Sequence, residues 1–200
     1  MPYYSYLSIV SPAIGLIIGV IYFKKIKLEP SALVIFSLLV ISIICDLAGL
    51  YFANVYRNNI WVSNIYLLSE LFLVSLFYKK NNTSHFWLYC LVLPSILYFL
   101  FFLIESGMST YNRMYYPFNN FIFIFFSIRL FYFMFLREEE MYLEENSIFW
   151  FNLAFLVYFS GSFFTELVGN LGEYNRFFQN SFNILKNLLF VVGLWKVRTA

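Results

Sequence analysis

Polar residues cut this chain into long apolar stretches. Seven of them run approximately from Ser5 to Phe23, Ser31 to Asn54, Asn59 to Tyr78, Phe86 to Ile104, Pro117 to Leu136, Ser147 to Val168 and Phe177 to Val197. The breaks between them are short and rich in Asn, Gly, Lys, Arg and Glu. Each stretch is close to the roughly 20 residues that cross a hydrocarbon core at about 1.5 Å rise per residue. Runs such as Phe121 to Phe126 are continuous and do not alternate with polar positions, which argues for helices against the short alternating strands of a barrel. The pattern predicts an all-α integral membrane protein, a bundle of seven transmembrane helices forming one polytopic domain over residues 1–200.

Composition agrees with that reading. Hydrophobic residues make up 62% of the chain and charged residues 12%, against about 45–50% and about 25% in soluble domains. Only a bilayer leaves so much apolar surface without a penalty. Met1-Pro2-Tyr3-Tyr4 lacks a basic n-region, and no small-residue cleavage site follows the first apolar stretch, so the first helix is read as retained. Cys45 and Cys90 fall inside apolar runs and are read as neither a disulfide framework nor a thiolate metal site.

Charge then sets the orientation. With the N-terminus outside and the C-terminus cytoplasmic, Lys24, Lys25, Lys27, Lys79, Lys80, Arg137, Lys196 and Arg198 lie inside, and Arg57, Arg113 and Arg176 outside; basic residues favour the cytoplasmic face. Heavy use of Asn, Lys, Ile and Phe suits an AT-rich genome, and a bacterial inner membrane is the expected location. Gly15 with Gly19, and Ser42 with Cys45 and Gly49, offer small-residue faces for close helix approach.

A short pattern recurs. Each outer connection holds an arginine followed seven residues later by an asparagine: Arg57 and Asn64, Arg113 and Asn120, Arg176 and Asn183. The preceding helix carries Asp46, Glu105 or Glu166 toward its outer end. Three hairpins of one plan after a single extra helix would place these groups in a polar cluster near the outer surface; interfacial capping by Asn, Tyr and Arg is the plainer account of so short a pattern.

Charges inside the spans carry more information, since each costs about 2.5–3.5 kcal/mol on insertion scales and tends to face a partner in the bundle. Glu70, Arg129 and Lys186 lie nine, eight and ten residues before the cytoplasmic Lys79, Arg137 and Lys196 on helices running in one direction. Similar depth allows a buried triad of one acid and two bases. Asp46 and Asn64 are placed at a shallower matched level, where they could bond across their hairpin. Asn120 and Asn183 extend the polar core toward the outer face. Two readings compete: a ligand site, for which the excess of one base favours an anionic or zwitterionic small molecule, and an internal salt bridge that fixes helix register.

A lysine midway along a seventh helix, with the N-terminus outside, resembles the plan of microbial rhodopsins, in which such a lysine carries retinal. The resemblance covers topology and Lys186; the sixth span lacks a proline, and Asn183 or Phe182 stands where an acid would be expected one turn earlier. No cofactor is therefore expected. The single histidine, His85, sits in a polar loop, and HExxH, GxSxG and glycine-rich phosphate motifs are absent from the sequence, leaving Asp46 or Glu70 as the groups on which membrane hydrolase chemistry would rest.

The loop after the fifth span carries Glu138, Glu139, Glu140, Glu144 and Glu145, a solvated run or a docking surface for a basic partner. The sequence thus predicts a non-enzymatic sensor-like or accessory subunit that binds a ligand or a membrane or cytoplasmic protein through its polar core and acidic loop. A small transporter, possibly proton-coupled, is the alternative. The bilayer is the expected surroundings and nucleic acid is not an expected partner.

Overall fold

The computed structural model describes residues 3–81, 85–111, 114–136, 143–170 and 176–199. Among them the regular structure is helical: α1 (Tyr3–Ile21), the short α2 (Phe23–Ile26), α3 (Pro30–Tyr56), α4 (Ile60–Lys80), α5 (His85–Ser106), α6 (Tyr115–Leu136), α7 (Ser147–Asn170) and α8 (Arg176–Thr199), with a 3-10 turn at Leu143–Glu145. The long helices begin and end no more than two residues from the apolar stretches.

Local chemistry explains several ends. Pro30 occupies the first turn of α3, where its missing N–H removes no intrahelical bond. Arg57 ends α3 in the left-handed conformation at φ 55°, and Asn58 Oδ1 accepts the Ile60 N–H at 3.0 Å to start α4. Asn81 closes α4 by donating from Nδ2 to the Phe77 carbonyl at 2.8 Å. Gly107 takes φ 76°, and its N–H reaches the Leu103 carbonyl at 3.0 Å, an ending that a residue with a Cβ would strain.

Five helical segments are long and apolar enough to cross a membrane: Pro30–Tyr56, Ile60–Lys80, Tyr89–Ser106, Tyr115–Leu136 and Ser147–Gly169. This is the architecture of an integral membrane protein. The remaining two expected spans differ. In α1 the residues with described side chains form the apolar stretch Leu7–Ile21, and α8 is diluted by Gln179, Asn180, Asn183, Lys186 and Asn187.

Helices α1, α3, α4, α6, α7 and α8 pack in that order into a closed ring, while α5 lies outside it against α4 and α6. Small residues let the ring tighten. The α1 face with Gly15 and Gly19 meets Leu39 and Phe36 of α3; Gly161 of α7 receives Phe182 of α8, and Gly193 of α8 receives Phe151 of α7. The α1–α8 seam is polar: Asn183 Nδ2 donates to Ser8 Oγ at 2.9 Å, and Asn187 Nδ2 to Ser11 Oγ at 2.7 Å.

One half of the ring is filled with aromatic side chains. Phe77, Tyr78, Phe123, Phe126, Phe151, Phe155, Phe159 and Phe190 are fully buried. Ring centroids lie 4.7 Å apart for Phe123 and Phe159, 5.2 Å for Phe77 and Phe155, and 5.3 Å for Phe155 and Phe190. Inside this plug the Tyr78 hydroxyl lies 2.6 Å from Ser127 Oγ and 3.3 Å from Asn152 Oδ1, while Asn152 Nδ2 donates to the Ser127 carbonyl at 2.9 Å. The aromatic run at Phe121 to Phe126 is therefore divided: Phe123 and Phe126 are core, Phe121 and Phe125 are exposed.

Candidate functional site

The other half of the ring holds a cavity of about 620 Å³. Every helix of the ring contributes to its wall, from Ile9 on α1 to Gln179 on α8, and Tyr111 closes in from the α5–α6 connection. Asn59, Ile60, Gly169 and Gln179 line it at helix ends, so the cavity opens at the end opposite Lys24, Lys25, Lys79 and Lys80. The aromatic plug stands below it.

Helix registry fixes the depth of its polar groups. Asp46 lies ten residues before the end of α3 at Tyr56, Glu70 ten residues after the start of α4 at Ile60, and Lys186 ten residues after the start of α8 at Arg176. The end of α3 and the starts of α4 and α8 lie on the same side, so the three groups share a depth of about 15 Å below that side. Glu166, four residues before the end of α7 at Asn170, lies only about 6 Å deep.

At the deep level Glu70 is 3% exposed and accepts the Tyr66 hydroxyl on Oε1 at 3.1 Å. Asp46 Oδ2 is buried with no hydrogen-bond partner. Lys186 is 2% exposed, and its Nζ stands 3.9 Å from the centroid of the Tyr158 ring, within the range of a cation–π contact. The charges of Glu70 and Asp46 both act on it. Nearer the mouth, the Tyr111 hydroxyl donates to Glu166 Oε2, and the Tyr111 and Tyr116 rings stack at 4.7 Å.

Of the residues expected to form the polar core, Asp46, Glu70 and Asn120 line the cavity, and Lys186 adjoins it through Tyr158. Arg129 stands elsewhere, half-buried on α6 with its guanidinium 5.3 Å from the Phe133 ring centroid; it is not among the charges acting on Glu70 or Lys186. Asn64 is not level with Asp46, because it enters α4 by four residues, not ten. Its Nδ2 donates instead to the carbonyls of Met108 at 2.7 Å and Thr110 at 3.3 Å, holding the α5–α6 connection over the cavity. Asn183 belongs to the α1–α8 seam. The repeated carboxylates also part company: Asp46 and Glu166 line the cavity, and Glu105 is exposed.

Glu144 and Glu145 are exposed, and the Glu144 carbonyl accepts Trp150 Nε1–H at 2.7 Å. Glu138, Glu139 and Glu140 lie outside the described residues, as do Met1 and Pro2 at the start of the chain. Tyr66, Tyr158 and Asn187 carry no charge to mark them in the sequence. Two of them have a spacing signal: Tyr66 precedes Glu70 by one turn, and Asn187 follows Asn183 by one turn, so each pair shares a helix face. No protein-family model, curated protein or solved structure matches this chain.

Proposed function

We propose that this chain is a non-enzymatic, sensor-like or accessory membrane protein that binds a small ligand in the α1/α3/α4/α6/α7/α8 cavity. The observation carrying this reading is the cavity's form: one end opens between helix termini, the floor carries Glu70 at mid-depth, and packed aromatic rings fill the ring beyond it. A blind cavity suits recognition, because occupancy at the floor can change how the surrounding helices pack. All seven long helices cross the membrane in this reading, with the N-terminus outside and the C-terminus in the cytoplasm of a bacterial inner membrane. At 24 residues α8 reaches about 36 Å, and Asn183 and Asn187 turn toward α1, so its polar residues need not meet lipid.

The ligand signal passes to a protein partner at the acidic connection that includes Glu138, Glu139, Glu140, Glu144 and Glu145. A second reading, a small transporter, is supported by the ammonium of Lys186 beside Glu70 and Asp46 at half depth, an arrangement able to exchange partners as a proton or solute arrives.

Mass spectrometry of material copurifying with the tagged full-length protein from its native membrane tests this reading. A small molecule held by the wild-type protein and lost in Asp46→Asn supports the ligand site. A stoichiometric protein lost on changing Glu138, Glu139 and Glu140 to Gln supports the accessory role. Uptake into vesicles that depends on Glu70 would replace both with the transporter, and turnover of a lipid by the isolated protein would sink all three.

A further inference from the structure

We infer that the ligand of this cavity is an organic monovalent cation, an amine or quaternary ammonium, an inference that rests on the ligand-binding reading above. By sequence position Arg129 and Lys186 stand against Glu70, a balance that favours an anion. The wall itself is different: Asp46, Glu70 and Glu166 line it, and no lysine, arginine or histidine does among the described residues. An anion entering this space would meet three carboxylates and no basic side chain on the wall.

Two further observations point to a ligand and to its sign. Glu70, 3% exposed, lines the cavity, and Asp46 Oδ2 beside it is buried and unbonded. A buried oxygen of this kind is normally satisfied; an amine's N–H would bond it, and a quaternary ammonium would balance the carboxylate charge without a hydrogen bond. The protein also stabilises one cation just behind this wall: the ammonium of Lys186 rests on the Tyr158 ring within the fields of Glu70 and Asp46. Tyr66, Tyr111 and Tyr116 line the adjoining cavity, so that carboxylates and the aromatic rings that attract cations occur together there.

Size separates an organic cation from a metal ion. Among the described residues no three His, Cys, Asp or Glu side chains converge closely enough to hold a metal; Asp46 and Glu70 share one depth and Glu166 lies nearer the mouth. A volume of about 620 Å³ falls within the roughly 300–1,000 Å³ of small-molecule pockets. Distributed charge in a roomy tyrosine-rich space fits a cation of several heavy atoms, with its charged end near the floor and its remainder toward Tyr111 and Tyr116.

The test uses the full-length protein in lipid nanodiscs, with binding read by calorimetry. Tetramethylammonium, choline and phenethylammonium are compared with butyrate and with 3,3-dimethyl-1-butanol, the uncharged isostere of choline. At least one of the cations is expected to bind, the isostere to bind at least tenfold more weakly, and Asp46→Asn to weaken the cation at least tenfold. Asp46→Asn is the first variant because its Oδ2 has no hydrogen bond to lose; Glu166→Gln, which retains an acceptor for Tyr111, is the second should the first not fold. Equal binding of choline and its isostere, or binding of butyrate alone, overturns the cation while leaving a ligand site. No binding by any cation also overturns it, and the copurification experiment then decides the ligand site separately.

Discussion

Neutralising Lys186 tests whether the deep groups act as one unit. Lys186→Met preserves length and apolar stem while removing the ammonium. It leaves Glu70, 3% exposed, with the Tyr66 hydroxyl as its bonded partner, and removes the ring contact at 3.9 Å to Tyr158. Stripping one member from a buried charge pair costs about 3–5 kcal/mol. Glu70→Gln leaves the ammonium with Asp46 and Tyr158, a smaller loss of about 1–3 kcal/mol on the scale of an unsatisfied buried group. With both changes no charge is stranded at Glu70, so the double variant should lose less than the sum of the singles by about 2–3 kcal/mol, the upper part of the range for coupled neighbours. The assay is reversible denaturant unfolding in mild detergent, followed by tryptophan fluorescence. As a control, Glu70→Gln combined with Tyr78→Phe, two turns deeper in the plug, should be additive to within about 0.5 kcal/mol. Additivity of Lys186→Met with Glu70→Gln to the same margin would refute the coupling and leave Lys186 held by Tyr158 and Asp46 alone.

Three other outcomes follow from the packing and the charge distribution. Gly161→Ala and Gly193→Ala each force a methyl group into the partner phenylalanine across the α7–α8 seam and should destabilise by about 1–3 kcal/mol, read as a lowered thermal midpoint in detergent. Asn187→Ala, which removes a buried bond to Ser11, should cost about 1 kcal/mol and make α1 the first segment cleaved in limited proteolysis. In a Cys45→Ser/Cys90→Ser background, Arg57→Cys should react with an impermeant maleimide on intact cells and Lys24→Cys only after permeabilisation; the reverse would invert the proposed orientation.

How much of this was legible in sequence depends on the direction considered. Position along a helix could be counted, because apolar run length marks the ends and a rise of about 1.5 Å per residue converts counts to depth. That places Glu70 and Lys186 at one level. Rotation about the helix axis could not be counted. Helix α6 is apolar on nearly all sides, so no stripe distinguishes the inward Phe123 and Phe126 from the outward Phe121 and Phe125, and nothing told Arg129 to lie apart from Lys186. Asp46 was placed too shallow because its level was matched to Asn64, whose partners turned out to be backbone carbonyls 44 and 46 residues away. Loop carbonyls carry no sequence signature, so that bond was invisible beforehand.

The placement of the unpaired oxygen bears on whether these charges serve structure or recognition. A register-fixing ion pair is best placed in a packed interior where every donor and acceptor can be satisfied, since partial satisfaction of a buried network is costly. This protein has such a place and uses it: in the aromatic plug, Tyr78, Ser127 and Asn152 satisfy one another without a formal charge. Its carboxylates are instead at the floor and wall of a cavity, with Asp46 Oδ2 unbonded. Removing both carboxylates and filling the space with apolar side chains would then be expected to stabilise the fold, as replacing buried ionic groups by well-packed hydrophobic ones often does. Retaining them at that expense makes sense if something that enters the cavity completes their bonding, which is why ligand occupancy and not stability alone should govern what happens when Asp46 or Glu70 is neutralised.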